Sequence, residues 1–110
     1  MENCIFCKIA KQEIPTQIIY EDDEIVAFPD INPDAPVHIL ILPKRHIESL
    51  NQLEVSDIPL VGKMILIAKQ IAEEKGIAES GYRIRINTGP DAGQIINHLH
   101  LHLVGGKKLS

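Results

Sequence analysis

The chain has 110 residues, of which 45% are hydrophobic and 24% are charged, and its formal net charge is -4. This composition is typical of one soluble domain, residues 1–110, and excludes disordered and fibrous chains. The acidic balance argues against a nucleic-acid polymer as partner, because such binding depends on many Lys and Arg contacts to phosphates. The N-terminus does not resemble a signal peptide and no apolar run reaches the roughly 18 residues of a membrane span, so we expect a cytoplasmic protein without a membrane partner.

The first half of the chain predicts one short helix and three strands. Apolar spacing indicates a helix from Ile5 to Lys11. Strands are predicted over 18–21 and 25–28, on either side of the polar turn 22–24. The nearly continuous apolar run 37–42 predicts a central strand that is covered on both faces.

One long helix follows. Ser56 is predicted to cap it, and the apolar pattern continues to Glu74 and Lys75 before Gly76 ends it. Its apolar residues cover more than one side, so the helix is expected to be covered on more than one side. In a chain of this size we expect the second cover to be another subunit, which predicts a homodimer.

Two further strands complete the pattern, 82–87 and 98–104. A loop over 88–94 leads from the first of these strands to the second. The order of helix, three strands, long helix and two strands lacks a regular strand-helix-strand alternation. It therefore predicts an α+β fold with about five strands in a mostly antiparallel sheet, one short N-terminal helix and one long helix.

The last predicted strand carries His98, His100 and His102 at alternate positions. An extended strand would place these imidazoles on one face and the intervening leucines on the other. At about 3.3 Å per residue the outer two lie roughly 13 Å apart, too far for all three to bind one ion at about 2 Å. A pair could still share a metal in a zinc-dependent hydrolase. The other interpretation is a row of imidazoles with separate roles along a substrate.

Glycines precede the histidines. Gly89 and Gly93 allow backbone N–H groups to approach an anion closely, in a loop that leads into the histidine strand. A phosphate beside imidazoles indicates group transfer or hydrolysis at phosphorus.

Two cysteines, Cys4 and Cys7, are separated by two residues near the N-terminus. In a cytosolic chain such a pair is more typical of thiols or metal ligands than of a structural disulfide. With two histidines it would complete the Cys₂His₂ ligand set of a structural zinc, but spacing alone does not identify those histidines. A redox pair or two thiols without a metal remain alternatives.

The run His98-Leu99-His100-Leu101-His102-Leu103-Val104 matches the motif His-φ-His-φ-His-φ-φ, with φ apolar, of the histidine triad (HIT) family. The resemblance covers nearly the whole chain and includes the segments 5–9, 27–31, 42–47 and 93–94. The chain resembles most the Hint branch, the nucleotide-binding phosphoramidases. This resemblance implies a single-domain HIT fold, a purine mononucleotide or nucleotidyl conjugate as partner, and no catalytic metal.

The resemblance also implies a role for each histidine. His100 would attack the α-phosphorus of a purine nucleoside 5′-phosphoramidate or related conjugate, and water would then cleave the nucleotidyl-histidine intermediate. His102 would bind the phosphoryl oxygens and help to protonate the leaving group, while His98 and His38 would orient the others through hydrogen bonds. The attack requires a neutral imidazole.

A nucleotide site is implied in the same way. Asp30 would accept hydrogen bonds from the ribose hydroxyls. The apolar slot for the purine would consist of Phe6, Ile9, Phe28 and Ile31. The phosphate end would be held by Asn87, Gly93, Gln94 and Ile95, together with His100 and His102. Because Ile95 replaces a residue that is usually polar in Hint-like enzymes, a nucleotide-binding module with little turnover is the alternative function.

Some bacterial HIT proteins bind zinc through such a cysteine pair, the His of a Pro-Lys-x-His segment and the first triad His. The resemblance therefore implies a structural zinc held by Cys4, Cys7, His46 and His98. Such a site would join the N-terminal helix to the histidine strand.

Overall fold

The computed structural model describes residues 3–110. Its two α-helices are α1 (Ile5–Ala10) and α2 (Ile58–Glu74), and its five strands are β1 (Tyr20–Glu21), β2 (Ile25–Pro29), β3 (Val37–Pro43), β4 (Tyr82–Ile86) and β5 (Leu101–Gly105). The strands form one antiparallel sheet in the order β1-β2-β3-β5-β4. This architecture confirms the predicted α+β fold class.

The hairpin between β1 and β2 is closed by a side chain instead of a glycine. Asp22 Oδ1 accepts hydrogen bonds from the backbone N–H groups of Glu24 at 2.8 Å and Ile25 at 2.9 Å. A short carboxylate that bonds to the backbone two residues later can replace a glycine turn. Strand β1 has only two residues and is shorter than the predicted 18–21.

The two faces of the sheet carry separate apolar clusters. The face covered by α2 is built from β2, β3 and β5 side chains and includes Ile39, Ile41, Leu101 and Leu103. The opposite face, covered by α1, includes Phe6, Ile9, Val26, Phe28, Leu40 and Leu42. His102 lies opposite Leu40 in the β3–β5 register, so it belongs to the α1 face. The alternation of leucine and histidine thus directs the imidazole away from α2.

Helix α2 begins one residue later than a Ser56 cap would require. Ser56 lies inside a 3₁₀ turn, Val55–Asp57, and Asp57 is the N-cap residue, so the predicted cap is wrong. The Asp57 carboxylate accepts a hydrogen bond from the Glu54 N–H at 2.9 Å and also contacts Arg45. These contacts hold Asp57 at the helix start, which the sequence pattern did not reveal.

Helix α2 packs one side on the sheet and leaves apolar residues on the other. Met64, Ile67 and Ile71 are buried, whereas Ile58 and Leu66 are each 66% exposed. The helix therefore has an apolar surface that the described chain does not cover. Within residues 3–110, neither helix combines the length and the hydropathy that crossing a bilayer would require.

Strand β5 begins after His98 and His100, so the prediction of one strand over 98–104 is wrong at its N-terminal end. Pro43 ends β3 and has no N–H with which to continue the ladder. Its carbonyl accepts instead from His98 Nε2 at 2.7 Å, and the Leu99 N–H donates to Ile47 O at 2.6 Å. The chain therefore joins the sheet only after the first two triad histidines.

Candidate active site and metal-binding cluster

The structure brings the predicted histidines together in two adjacent groups. His38, His100 and His102 form the first group: the His100–His102 ring centroids are 4.9 Å apart and the His38–His102 centroids 5.2 Å apart. His98 lies instead beside His46, at 5.0 Å. All three triad rings are buried, and His98 is fully so. The row therefore divides between two sites.

The tautomer of His100 is set by the backbone. Its Nδ1 lies 2.6 Å from the carbonyl oxygen of His98. A carbonyl can only accept, so Nδ1 carries the proton, and Nε2 of the neutral ring keeps its lone pair. Burial, the largest cause, lowers the pKa of His100 below its ordinary value of 6.5, which favours the neutral ring at pH 7. His98 thus contacts His100 through its main-chain carbonyl.

His102 has the opposite tautomer. The backbone N–H of Asp34 donates to His38 Nδ1 at 2.9 Å, so the ring proton of His38 is on Nε2. His38 Nε2–H then donates to His102 Nδ1, also at 2.9 Å. Burial, followed by the charges of His100 and Arg85, lowers the pKa of His102 to about 4. A neutral His102 with its proton on Nε2 results, so this nitrogen is a hydrogen-bond donor.

Asp30 lies at the edge of the same group. Its Oδ2 is 3.4 Å from His38 Nε2, and its Oδ1 accepts from the Asn32 N–H at 2.8 Å. The Asp30 N–H donates to the carbonyl of His38 at 2.9 Å. Backbone contacts on both sides therefore fix this carboxylate next to the imidazoles.

The four apolar residues predicted for a purine slot occupy different environments. The Phe6 ring meets His100 edge to face, with 5.0 Å between centroids and an interplanar angle of 84°. Ile9 and Phe28 are buried in the core of the α1 face. Ile31 is 90% exposed. Phe6 therefore contacts the active-site row directly, and Ile31 is open to an incoming molecule.

Gln94 anchors the glycine-containing loop to the body of the protein. Its Oε1 accepts from the Gly89 N–H at 2.9 Å, while its Nε2 donates to the carbonyls of Glu48 at 2.7 Å and Ile96 at 3.1 Å. Three hydrogen bonds from one amide hold both ends of the loop. The segment that enters the histidine row is thereby positioned.

The remaining loop residues have different exposures and roles. Asn87 Nδ2 donates to the Ala92 carbonyl at 2.7 Å, which closes the loop on the β4 side. Gly93 has φ 80°, a left-handed conformation that favours glycine. The Ile95 side chain is 87% exposed. It offers an apolar surface, so any hydrogen bond from this position must come from its backbone.

Cys4, Cys7, His46 and His98 bring one donor atom each to within 4.8 Å of one another. Cys4 Sγ and Cys7 Sγ lie 3.3 Å and 3.5 Å from His98 Nδ1, and Cys7 Sγ lies 3.2 Å from His46 Nδ1. Tetrahedral zinc with Zn–S of about 2.3 Å and Zn–N of about 2.0 Å would separate sulfur from nitrogen by about 3.5 Å. The donor spacing therefore fits a tetrahedral ion.

The protonation of this cluster also suits a metal. His98 Nε2–H donates to the Pro43 carbonyl, so Nδ1 keeps its lone pair towards the sulfurs. Burial, the largest cause, raises the pKa of the Cys7 thiol to about 11, and a bound cation would supply the charge that stabilises the thiolate. A surface cavity of about 750 Å³ borders Cys4 and His46, which gives an ion access.

A second cluster, Asp30, His38 and His102, also brings donor atoms within 4.8 Å. A metal there would need lone pairs on His38 Nε2 and His102 Nδ1. Moving the His38 proton to Nδ1 would place that proton against the Asp34 N–H, donor against donor. The hydrogen bonds of Asp30, His38 and His102 therefore suit a relay and disfavour a metal bound by these three residues.

Two residues next to the site were not identified from the sequence, Asp34 and Arg85. Asp34 sets the His38 tautomer through its backbone N–H, and Arg85 Nη2 donates to Asp34 Oδ2 at 3.0 Å. Arg85 lies on the strand predicted over 82–87, but its proximity to His102 depends on the β4–β5 register. Alternation alone could not supply that register.

Comparison with known proteins finds a matching family model and close relatives over nearly the whole chain. A family model described as "Scavenger mRNA decapping enzyme C-term binding" matches residues 3–110. Protein HitA from Neisseria gonorrhoeae is 50% identical over 105 residues, which cover 96% of this chain and 97% of that protein. Purine nucleoside phosphoramidase from Escherichia coli strain K12 is 47% identical over 108 residues, which cover 98% of this chain and 91% of that protein.

A solved structure of a similar protein has the same fold. The HIT family hydrolase from Clostridium thermocellum superposes with a TM-score of 0.97 at 47% identity, covering 100% of this chain and 96% of that chain. The similarity thus extends over nearly the full length of the chain. The chain belongs to the histidine triad family and is a hydrolase of that family.

Proposed function

We propose that this hydrolase cleaves purine nucleoside 5′-phosphoramidates, or related nucleotidyl conjugates, at the α-phosphorus through a nucleotidyl intermediate on His100. The observation that carries the proposal is the 2.6 Å hydrogen bond from His100 Nδ1–H to the His98 carbonyl, which leaves Nε2 unprotonated in a buried ring. The 47% identity to a purine nucleoside phosphoramidase supports the substrate class.

In the first step His100 Nε2 forms a bond to the α-phosphorus and the bond from phosphorus to the amine nitrogen breaks. The amine leaves with that electron pair and takes one proton from solvent. His102 Nε2–H donates a hydrogen bond first to a phosphoryl oxygen and then to the leaving nitrogen as the bond breaks, because His38 holds its other nitrogen as an acceptor. Water then displaces His100 from phosphorus and returns one proton to solvent.

The nucleotide would be held on both sides of this row. Asp30 would accept from the ribose hydroxyls, and Ile31, Phe6, Ile9 and Phe28 would form the apolar surroundings of the purine. The loop residues Asn87, Gly93, Gln94 and Ile95 would contact the phosphate end. The exposure of Ile31 and the rigid Gln94 anchor support this arrangement.

We also propose a structural zinc on Cys4, Cys7, His46 and His98. The sulfur to nitrogen distances of 3.2–3.5 Å support it. A bound zinc would supply no chemistry to the reaction. It would fix His98, whose carbonyl orients the nucleophile.

A homodimer is the assembly that we propose. Helix α2 leaves Ile58, Ile65 and Leu66 exposed on one side, and β4 lies at the edge of the sheet in the described chain. A second copy can cover both the apolar face and the strand edge. Light scattering after size exclusion should give the mass of two chains, and Leu66→Glu should shift it to one. A monomeric wild type would contradict this assembly.

The test of the activity uses an adenosine phosphoramidate, with and without a chelator, beside His100→Ala. We expect turnover that the chelator leaves intact during the assay and that the variant loses by at least about a thousandfold. Circular dichroism and retained mononucleotide binding would show that the variant is folded. Undiminished turnover in the variant would exclude His100 as nucleophile, and tight nucleotide binding without wild-type turnover would favour the binding-module alternative.

A further inference from the structure

Arg85 lies on the active-site face of the sheet. It is directly opposite His102 in the β4–β5 register. Residues opposite each other in an antiparallel pair point to the same face, with Cβ atoms about 4.5–5.5 Å apart. The Arg85 side chain therefore begins beside the ring to which the phosphoryl group is assigned.

The guanidinium of Arg85 is held at this position by a single exchangeable partner. Its Nη2 donates to Asp34 Oδ2 at 3.0 Å, and the two side chains are 37% and 56% exposed. Ion pairs with this exposure are weak, because water competes for both groups. The guanidinium can therefore exchange the Asp34 carboxylate for another anion without moving away from His102.

Among the charged side chains around the imidazole row, Arg85 is the one suited to bind an anion. The Asp30 carboxylate lies 3.4 Å from His38 Nε2, and the Asp34 carboxylate pairs with Arg85. Within residues 3–110, Arg85 is the cationic side chain that hydrogen-bonds to this network. Its charge contributes to the lowered pKa of both His100 and His102, which agrees with its position near both rings.

We infer that Arg85 binds the leaving group when that group is a phosphate, and so sets the preference of this site between phosphate and amine leaving groups. The inference rests on the proposed function. His100 Nε2 bonds to the α-phosphorus, the bond from phosphorus to the leaving oxygen breaks, and that oxygen keeps the electron pair and departs as an anion. Water then releases the nucleotide and gives one proton to solvent.

The two kinds of leaving group place different demands on the protein. An amine must gain a proton to leave, whereas a phosphate leaves as an anion and needs its charge stabilised. A planar guanidinium can donate two parallel hydrogen bonds to phosphate oxygens. Arg85 would therefore act on phosphate leaving groups more than on amines.

The experiment compares kcat/KM for a dinucleoside triphosphate and for an adenosine phosphoramidate. Arg85→Gln should lower the ratio of triphosphate to phosphoramidate kcat/KM by about tenfold or more, as the loss of a charged hydrogen bond would. Asp34→Asn keeps the backbone N–H to His38 but frees Arg85, so it should raise the same ratio. Arg83→Gln is the matched control, because Arg83 points to the same face two residues earlier and donates to the Ser110 carbonyl at 3.3 Å. It should leave the ratio unchanged.

Three results would overturn the inference: proportional losses on both substrates in Arg85→Gln, a matching loss of the ratio in Arg83→Gln, or a lowered ratio in Asp34→Asn. Wild-type turnover of the phosphoramidate without turnover of the triphosphate would also overturn it and leave the proposed function intact. If neither substrate is turned over, the proposed function itself fails.

Discussion

The buried neutral state of His102 predicts how the protein responds to acid. The residue is 9% exposed, and burial, then the charges of His100 and Arg85, lower its pKa from 6.5 to about 4. Between these two values the unfolded chain binds a proton at His102 that the folded chain does not. The free energy of unfolding therefore falls as the pH falls through this window. The stability that the neutral His102 contributes is fully present only above about pH 6.5.

The magnitude follows from the two pKa values. Between pH 7 and pH 5 the His102 contribution amounts to about 2 kcal/mol, since each pKa unit corresponds to about 1.4 kcal/mol. The pKa values of His98 and His100 are also lowered, with burial as the largest cause, and they add in the same direction. The effect of His102 must therefore be isolated by comparison with a variant.

Urea unfolding at pH 7 and pH 5, followed by circular dichroism, provides the measurement. The variant is His102→Gln, because the glutamine Oε1 can still accept from His38 Nε2–H. We expect its free energy of unfolding to fall by about 2 kcal/mol less than that of the wild type on acidification. Equal losses in the two proteins would refute the assignment of a buried neutral imidazole to His102.

Three further predictions follow from particular contacts. Cys4→Ser should abolish co-purified zinc, which atomic emission should detect in the wild type at about one ion per chain; equal zinc in both proteins would exclude the site. Gln94→Ala removes three hydrogen bonds that hold the loop, so kcat/KM for a phosphoramidate should fall while far-ultraviolet circular dichroism stays unchanged. Gly105→Ala would bring a Cβ within 2.8 Å of the buried Ile77 Cδ1, so thermal or urea unfolding should report a loss of about 1–3 kcal/mol; unchanged stability would show that Ile77 can move aside.

Local patterns in the sequence were sufficient for the fold class and for most elements. The alternation of leucine and histidine correctly separates Leu101 and Leu103, on the α2 face, from His102, on the α1 face. The helix end at Gly76 also follows from local chemistry, since its φ of 73° favours glycine. Such features depend on periods and turn residues that a single segment contains.

Tertiary contacts decide the features that the sequence did not reveal. The histidine strand starts late because the Pro43 carbonyl and the Ile47 carbonyl take up hydrogen bonds from His98 and Leu99. Both partners come from a segment about fifty residues away along the chain. The same contacts direct the His98 ring to the cysteines and its carbonyl to His100, a division that side-chain spacing cannot show.

The proximity of Arg85 to His102 is of the same kind. Alternation indicates that Arg83 and Arg85 share a face of β4, but only the pairing of β4 with β5 shows which of them is beside the triad. The roles of Asp34 and His38 likewise depend on a backbone N–H that no residue pattern announces. The face on which a side chain lies was thus predictable from the local pattern, and its hydrogen-bond partners from distant segments were not.

The central claim is that His100 carries the nucleotidyl group between the two chemical steps, and rapid quenching tests it most directly. The enzyme is mixed with an adenosine phosphoramidate, stopped within the first turnover, digested and analysed by mass spectrometry. We expect an adenylyl group on the peptide that contains His100, and none on the same peptide from His100→Ala. An adduct on another residue would contradict the claim. So would complete release of product in the first turnover with no adduct at any quenching time.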